Sequence, residues 1–252
     1  MIEQTFSVSG PAELDISFPS GSLTIGSGPP GRVEVYLDTK DPEAWRVEQS
    51  GDTIIVAFER GFPSRGGRAR IRVLTPERSA LRAKSASADV TARVELGRVT
   101  VNTASGEVEL GDVASAAIKT ASGDVVLGRV DGELTIRSAS GDVRAEDVAG
   151  ELSITTASGD ARFGRVAGPL SVSSASGDVY VAAYAGEDLE MATMSGDLDV
   201  GLVAGRTVKL RANTLSGSVH LPDSRSAPTE TGPEVTVSLK SVSGDLRIRR
   251  VE

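Results

Sequence analysis

A chain of 252 residues is long enough to bury a sizeable core as one large domain, two small ones or a repeat array. Aromatic residues make up 4%, while 28 glycines and many Ser and Thr accompany Val, Leu, Ala and Ile, which suits narrow β structure with tight turns rather than helices. The formal charge of -8 excludes a general nucleic-acid binder, because neutralising phosphates needs a basic surface. With no cysteine there are no disulfides, no thiolate nucleophile and no thiolate metal site.

In chain order, "MIEQTFSVSG" has neither a basic run nor an apolar stretch, and nowhere do apolar residues run on for the length of a membrane span. The expectation is a cytoplasmic protein without a signal peptide or membrane insertion. Residues 1–75 then read as an irregular β section. "AELDISFPSGSLTI" carries Leu14 and Ile16 in alternation and a corner at Ser20-Gly21, and "RVEVYLD", "WRVEQSGDTIIVAFE" and "RARIRVLTP" also alternate. This section is expected to cap residues 76–252, a regular array, and to be continuous with it.

The array is marked by Ser-Gly-Asp or a close variant at Ser87, Ser105, Ser122, Ser140, Ser158, Ser176 and Ser195, at intervals of 18, 17, 18, 18, 18 and 19. Looser copies stand at Ser216 and Ser243, separated by "LPDSRSAPTETGPE", residues 221–234, an expected inserted surface loop. In "SGDVVLGRVDGELTIRS" the pattern has period two, giving two short strands per unit on either side of a turn over Gly128 to Gly132. Equivalent positions line up as columns: Val125, Val143, Ala161 and Val179; Leu134, Leu152, Leu170 and Leu189; Ile136, Ile154, Val172 and Met191. A column of small hydroxyls (Thr120, Ser138, Thr156, Ser174, Thr193) has partners in each other or in the corner backbone. Constant length with like residues at like offsets favours a parallel stack over an antiparallel meander, whose alternate strands reverse. The fold class predicted is all-β: a parallel β-solenoid, or single-stranded β-helix, of about 18 residues per turn. The closing "DLRIRRVE", with Arg247, Arg249 and Arg250, reads as a charged guard on the last strand.

The opening "FSVSGPAELDISFPSGSLTI", the central "TASGDV" phrases and the closing "SLKSVSGDLRIRR" resemble the bacterial adhesin-like, or Toastrack, family of β-strand repeat proteins over nearly the whole chain. That resemblance implies a right-handed stacked β architecture. For members fused to membrane helices it implies links to envelope-stress sensing. It carries over no catalytic residue.

Candidate chemistry is sparse. A serine nucleophile needs a base, and the single histidine, His220, stands beside Pro222 with no fixed relation to the repeated serines, so it reads as an ordinary surface residue. Asp124, Asp142, Asp160 and Asp178 would stack about 4.8 Å apart, where a cation would relieve their repulsion. Calcium, however, needs 6 to 8 oxygens, and Glu107 and Ser218 interrupt the column. Corner capping is the expected role, with a calcium- or carbohydrate-binding module the alternative. A carbohydrate enzyme would want an aromatic platform, and Trp45, Tyr36, Tyr180 and Tyr184 are all the chain offers beyond phenylalanine. The run with Arg60, Arg65, Arg68, Arg70 and Arg72 reads as a solvated strand face. No catalytic, cofactor-binding or metal residue is assigned and no cofactor is expected. The function read from the sequence is a non-enzymatic scaffold for protein–protein interaction, with an unidentified protein partner or a homo-oligomer and no nucleic acid.

Overall fold

A corner that must repeat every turn needs a residue tolerating positive φ and lacking a side chain, and the Ser-Gly-Asp glycines meet both demands. Gly159 sits at φ +113°, and a Cβ there would lie 2.3 Å from the carbonyl oxygen of Gly141 in the turn beneath. In the computed structural model, which describes residues 1–59, 67–221 and 233–251, the chain is a parallel β-solenoid in which each turn has two strands and like residues stack on like. The chain divides into two compact units, Met1–Gly128 and Arg129–Glu252.

The second unit shows the repeat at its plainest. Leu134–Ser140, Leu152–Ser158, Leu170–Ser176 and Asp188–Ser195 pair in parallel along one side, and Val143–Val148, Ala161–Val166, Val179–Tyr184 and Leu198–Val203 along the other. The columns expected from the sequence form the core: Leu134, Leu152, Leu170 and Leu189 are in register and buried, as are Ile136, Ile154, Val172 and Met191. The Ser-Gly-Asp corner is one end of each cross-section. The second corner is shorter than expected, because the second strand runs through its glycine: Gly164 lies within Ala161–Val166, as Gly128 lies within Val125–Val130. Tyr184, the largest residue of its column, is buried, and its hydroxyl donates to the carbonyl oxygen of Asp188. Burial foremost, with Asp188 nearby, pushes its pKa well above the ordinary tyrosine range.

The turns of this unit do not stack in sequence order. Glu234–Ser243 pairs with Asp188–Ser195 on one edge and with Thr207–Ser216 on the other, and Leu246–Val251 lies likewise between Leu198–Val203 and Val219–His220. The last turn in sequence is thus internal, and the turn 207–220 is outermost. This corrects the reading of Arg247, Arg249 and Arg250 as a terminal guard. Their strand is inside the ladder, where Arg249 donates to Asp199 Oδ1 at 2.6 Å and lies 5.2 Å from the centre of the Tyr180 ring. The inserted-loop expectation for 221–234 falls almost entirely outside the described residues.

The first unit uses the same device. Glu13–Ser27 is one long strand bent at Ser20-Gly21, and both halves pair in parallel with the corresponding halves of Ser79–Ala92. On their other edge these halves pair with Thr53–Phe58 and Arg68–Thr75, so the turn first in sequence is again internal. The outer turn here is closed by antiparallel strands. Trp45–Ser50 lies on Thr53–Phe58, Arg32–Thr39 on Arg68–Thr75, and Ile2–Ser7 on Arg32–Thr39. Trp45 packs edge-on against Phe58 with centroids 5.3 Å apart. The remaining turns, 96–110 and 113–127, continue the parallel ladder from Ser79–Ala92. Among the described residues no helix is long and apolar enough to cross a membrane.

Candidate interaction surface

The corner carboxylates come first, since the sequence singled them out. In the second unit each binds the turn stacked next to it. Asp142 Oδ1 accepts from the amide of Asp160 at 3.0 Å, Asp160 from Asp178 at 3.0 Å, Asp178 from Asp197 at 2.8 Å, and Asp197 from Asp245 at 2.8 Å. In the first unit Asp89 does the same for Glu107 at 3.1 Å. The second-unit ladder ends where the stack ends: Asp245 Oδ1 accepts from both the amide and the hydroxyl of Ser218, at 2.8 and 2.7 Å. Ser218 needs no carboxylate because no described turn lies beyond it to be capped. The bond from the Ser218 amide, then its hydroxyl, holds the Asp245 carboxyl below the usual range.

At Asp142 and Asp160 both oxygens a cation would need are engaged. The second oxygen of Asp142 meets Arg144 at 2.8 Å and that of Asp160 meets Arg162 at 2.7 Å. Among the described residues no group of three or more His, Cys, Asp or Glu is arranged to hold a metal ion. The hydroxyl column bonds to corner backbone: Ser138, Thr156, Ser174 and Thr193 each donate to the carbonyl two residues on, at 2.9 to 3.1 Å. The buried Thr120 hydroxyl has no partner.

His220 is exposed on Val219–His220. Ser218, two residues away, gives its hydroxyl to Asp245 rather than to the imidazole, so the three groups do not form a nucleophile relay. Among the described residues the rings named from the sequence make no platform: Trp45 and Tyr184 are buried, Tyr36 is half-buried with its hydroxyl on Glu34, and exposed Tyr180 packs against the Arg249 guanidinium. Arg68, Arg70 and Arg72 are exposed between buried Ala69, Ile71 and Val73, the wet face of a strand, with Arg70 4.0 Å from Asp38. Arg60 and Arg65 lie outside the described residues.

The feature that sequence reasoning missed is apolar. Thr193 is in register with Ser241 and Ser241 with Thr214, which sets Met194, Val242 and Leu215 side by side on three successive turns of the second unit. They are 63%, 47% and 82% exposed. Earlier turns of the unit carry alanine at this place, as Ala139, Ala157 and Ala175. The signal was legible in "TMSGD", "TLSGS" and "SVSGD" where other units read "TASGD" or "SASGD". Clustered exposure of large apolar side chains marks a contact surface, since isolated ones are ordinary.

Residues 5–249 match a family model described as Toastrack DUF4097. Solved structures similar to the chain include a "putative adhesin" from Parabacteroides merdae, 10% identical, with a TM-score of 0.46 over 100% of this chain and 96% of that one. Another "putative adhesin", from Parabacteroides distasonis, is 14% identical with a TM-score of 0.40 over 99% and 96%. A "putative lipid binding protein" from the same species is 14% identical, with a TM-score of 0.34 over 100% and 96%. No curated protein matches.

Proposed function

We propose, from the premise that this chain belongs to the Toastrack family, that it is a non-enzymatic scaffold for protein–protein interaction. The observation that carries the reading is the ridge of Met194, Val242 and Leu215, large apolar side chains held outward by three hydrogen-bonded turns. A rigid parallel ladder fixes their spacing, so a partner meets a preformed surface and loses little entropy in fitting it. The rest of the chemistry supports the same reading, since the corner carboxylates serve the backbone and the single histidine leaves the nearest serine to Asp245. Residues 1–75 serve in this reading as the cap of the array 76–252, supported by the antiparallel strands that lie before residue 76. A cytoplasmic site of action is supported by the absence of cysteine and is checked by fractionating cells that express the chain.

The test is photo-crosslinking from position 242 in cells, comparing the full chain with a form carrying Met194→Ser and Leu215→Ser. Capture of a discrete protein that the double variant loses supports the ridge as the docking surface. Equal capture by both forms, or none by either, overturns it.

A further inference from the structure

The outer turn of the second unit leaves its core columns uncovered. Val208, Leu210 and Ala212 are in register with Val235, Val237 and Leu239, which are fully buried one turn in, yet all three are only half-buried. Val219, above buried Leu246, is 42% exposed, and Leu221 is 54% exposed. Val208, Leu210 and Leu221 line, with Ile248 and the arginines Arg206 and Arg250 at its rim, a cavity of about 190 Å³. Among the described residues, the strand Thr207–Ser216 pairs with Glu234–Ser243 and Val219–His220 with Leu246–Val251, so along 208–216 and 219–220 the other edge meets no described strand. An apolar cross-section flanked by open edges is what a solenoid normally closes with a polar cap.

We infer that this end is closed by the same end of a second copy, across a two-fold axis that sets Thr207–Ser216 antiparallel to its counterpart. The inference deepens the interaction-scaffold reading and names both the partner and the surface, which is the end of the stack and not the ridge. Three observations favour a second copy. The counter-surface must offer an apolar core between two open strand edges at the same separation, and the same end offers that by construction. Charge then selects a register. Centred on Ala212, the pairing sets Arg211 opposite Asn213 and Lys209 opposite Leu215, so no like charges face each other, whereas centring on Arg211 would oppose the two guanidinium groups. Finally, this chain closes the outer turn of its first unit with antiparallel strands, and an antiparallel copy does the same for the second.

The experiment is light scattering on a sizing column across a concentration series of the full chain, with variants at the exposed Asn213. Wild type is expected to pass from one chain mass to two. Asn213→Glu, facing Arg211 twice across the axis, is expected to tighten the dimer by about 2- to 30-fold. Asn213→Arg is expected to loosen it comparably, with circular dichroism and melting of the monomer unchanged. A strict monomer at all concentrations overturns the inference. If replacing 222–232 with a glycine–serine linker then yields dimers, the occupant is the chain's own segment. A dimer indifferent to both variants also overturns it, because the contact then lies elsewhere. Met194→Ser alone, on a strand two turns in from the paired edge, reports on the ridge separately, since losing the crosslinked partner while Asn213→Arg still captures it leaves the two readings independently judged.

Discussion

The outer turn of the first unit and the outer turn of the second are built alike and finished differently. Both arise because the turn nearest the chain terminus is tucked one place inward, leaving an earlier or later turn on the outside. Over 53–58 and 68–75 the outer turn is covered by antiparallel strands, with buried Trp45 packed on half-buried Phe58, and the final edge, Ile2–Ser7, is largely polar and exposed. Over 207–220 no described strand follows, and apolar columns reach the surface. What differs is whether the last layer has anything to bury itself against, and that difference sets local stability and the tendency to associate.

The comparison is sharpened most by removing the closure. Trp45 is 7% exposed and packs on Phe58, so Trp45→Ala is expected to destabilise the chain by about 3–5 kcal/mol. Leu221→Ala, at the open end and 54% exposed, is expected to change melting by well under ~1 kcal/mol. Denaturant titration of the two variants at concentrations where the chain is a single copy decides it, and equal losses there would mean that the open end is covered by the chain itself.

A second break separates position in sequence from position in the stack. Leu239, on the turn last in sequence, is fully buried, while its register partner on the earlier turn, Ala212, is half-buried and Leu210 beside it likewise. Leu239→Ala is expected to cost about 2–5 kcal/mol, and Leu210→Ala about 1 kcal/mol. Hydrogen exchange reads the same order without mutation: amides of 207–216 should exchange before those of 234–243. The reverse order would place the sequence-terminal turn outermost and undo the topology.

How far the sequence foretold this depends on the element. The interval between serines and the two-residue alternation were enough for the solenoid, because a stack repeats its side chains wherever it repeats its backbone: Leu134, Leu152 and Leu170 are columns in the string and in the core alike. The order of turns was not legible by that route, since every turn presents the same edge pattern and pairs equally well with any other. The one local sign was Ser218. Its corner lacks the carboxylate that each turn from Asp142 to Asp245 offers the next, which marks the end of that ladder, although the internal corner at Ser20-Gly21-Ser22 lacks one too. The ridge was written as plainly in Met194, Leu215 and Val242, yet it becomes contiguous only once Val242 stands between the other two.

The smallest expected effect is acid-dependent and again contrasts the two ends. Asp52 and Asp245 both have carboxyls held below the ordinary range by a serine. Asp52 accepts first from the Ser9 hydroxyl and then its amide, Asp245 first from the Ser218 amide and then its hydroxyl. A folded-state value below the unfolded one contributes stability that is fully present above the usual aspartate pKa of about 3.9, and that is lost as pH falls through the depressed value. Both contacts should therefore weaken only in acid below that point. Their consequences diverge because of what else holds each segment. Near Ser9, the Val8 amide donates to Gly31 at 3.0 Å and the Gln49 side chain donates to Ser7 at 2.6 Å, so the strand end stays in place when Asp52 is protonated. Ser218 gives both its amide and its hydroxyl to Asp245, and the short strand after it, Val219–His220, pairs on one edge alone. Amide exchange followed from pH 6 downward, normalised to intrinsic rates, is expected to show Ser218 losing protection while Ser9 retains it. Parallel losses at both serines would mean that the outer turn of the second unit is held as firmly as the capped one, and that its exposed columns are covered by something the protein already carries.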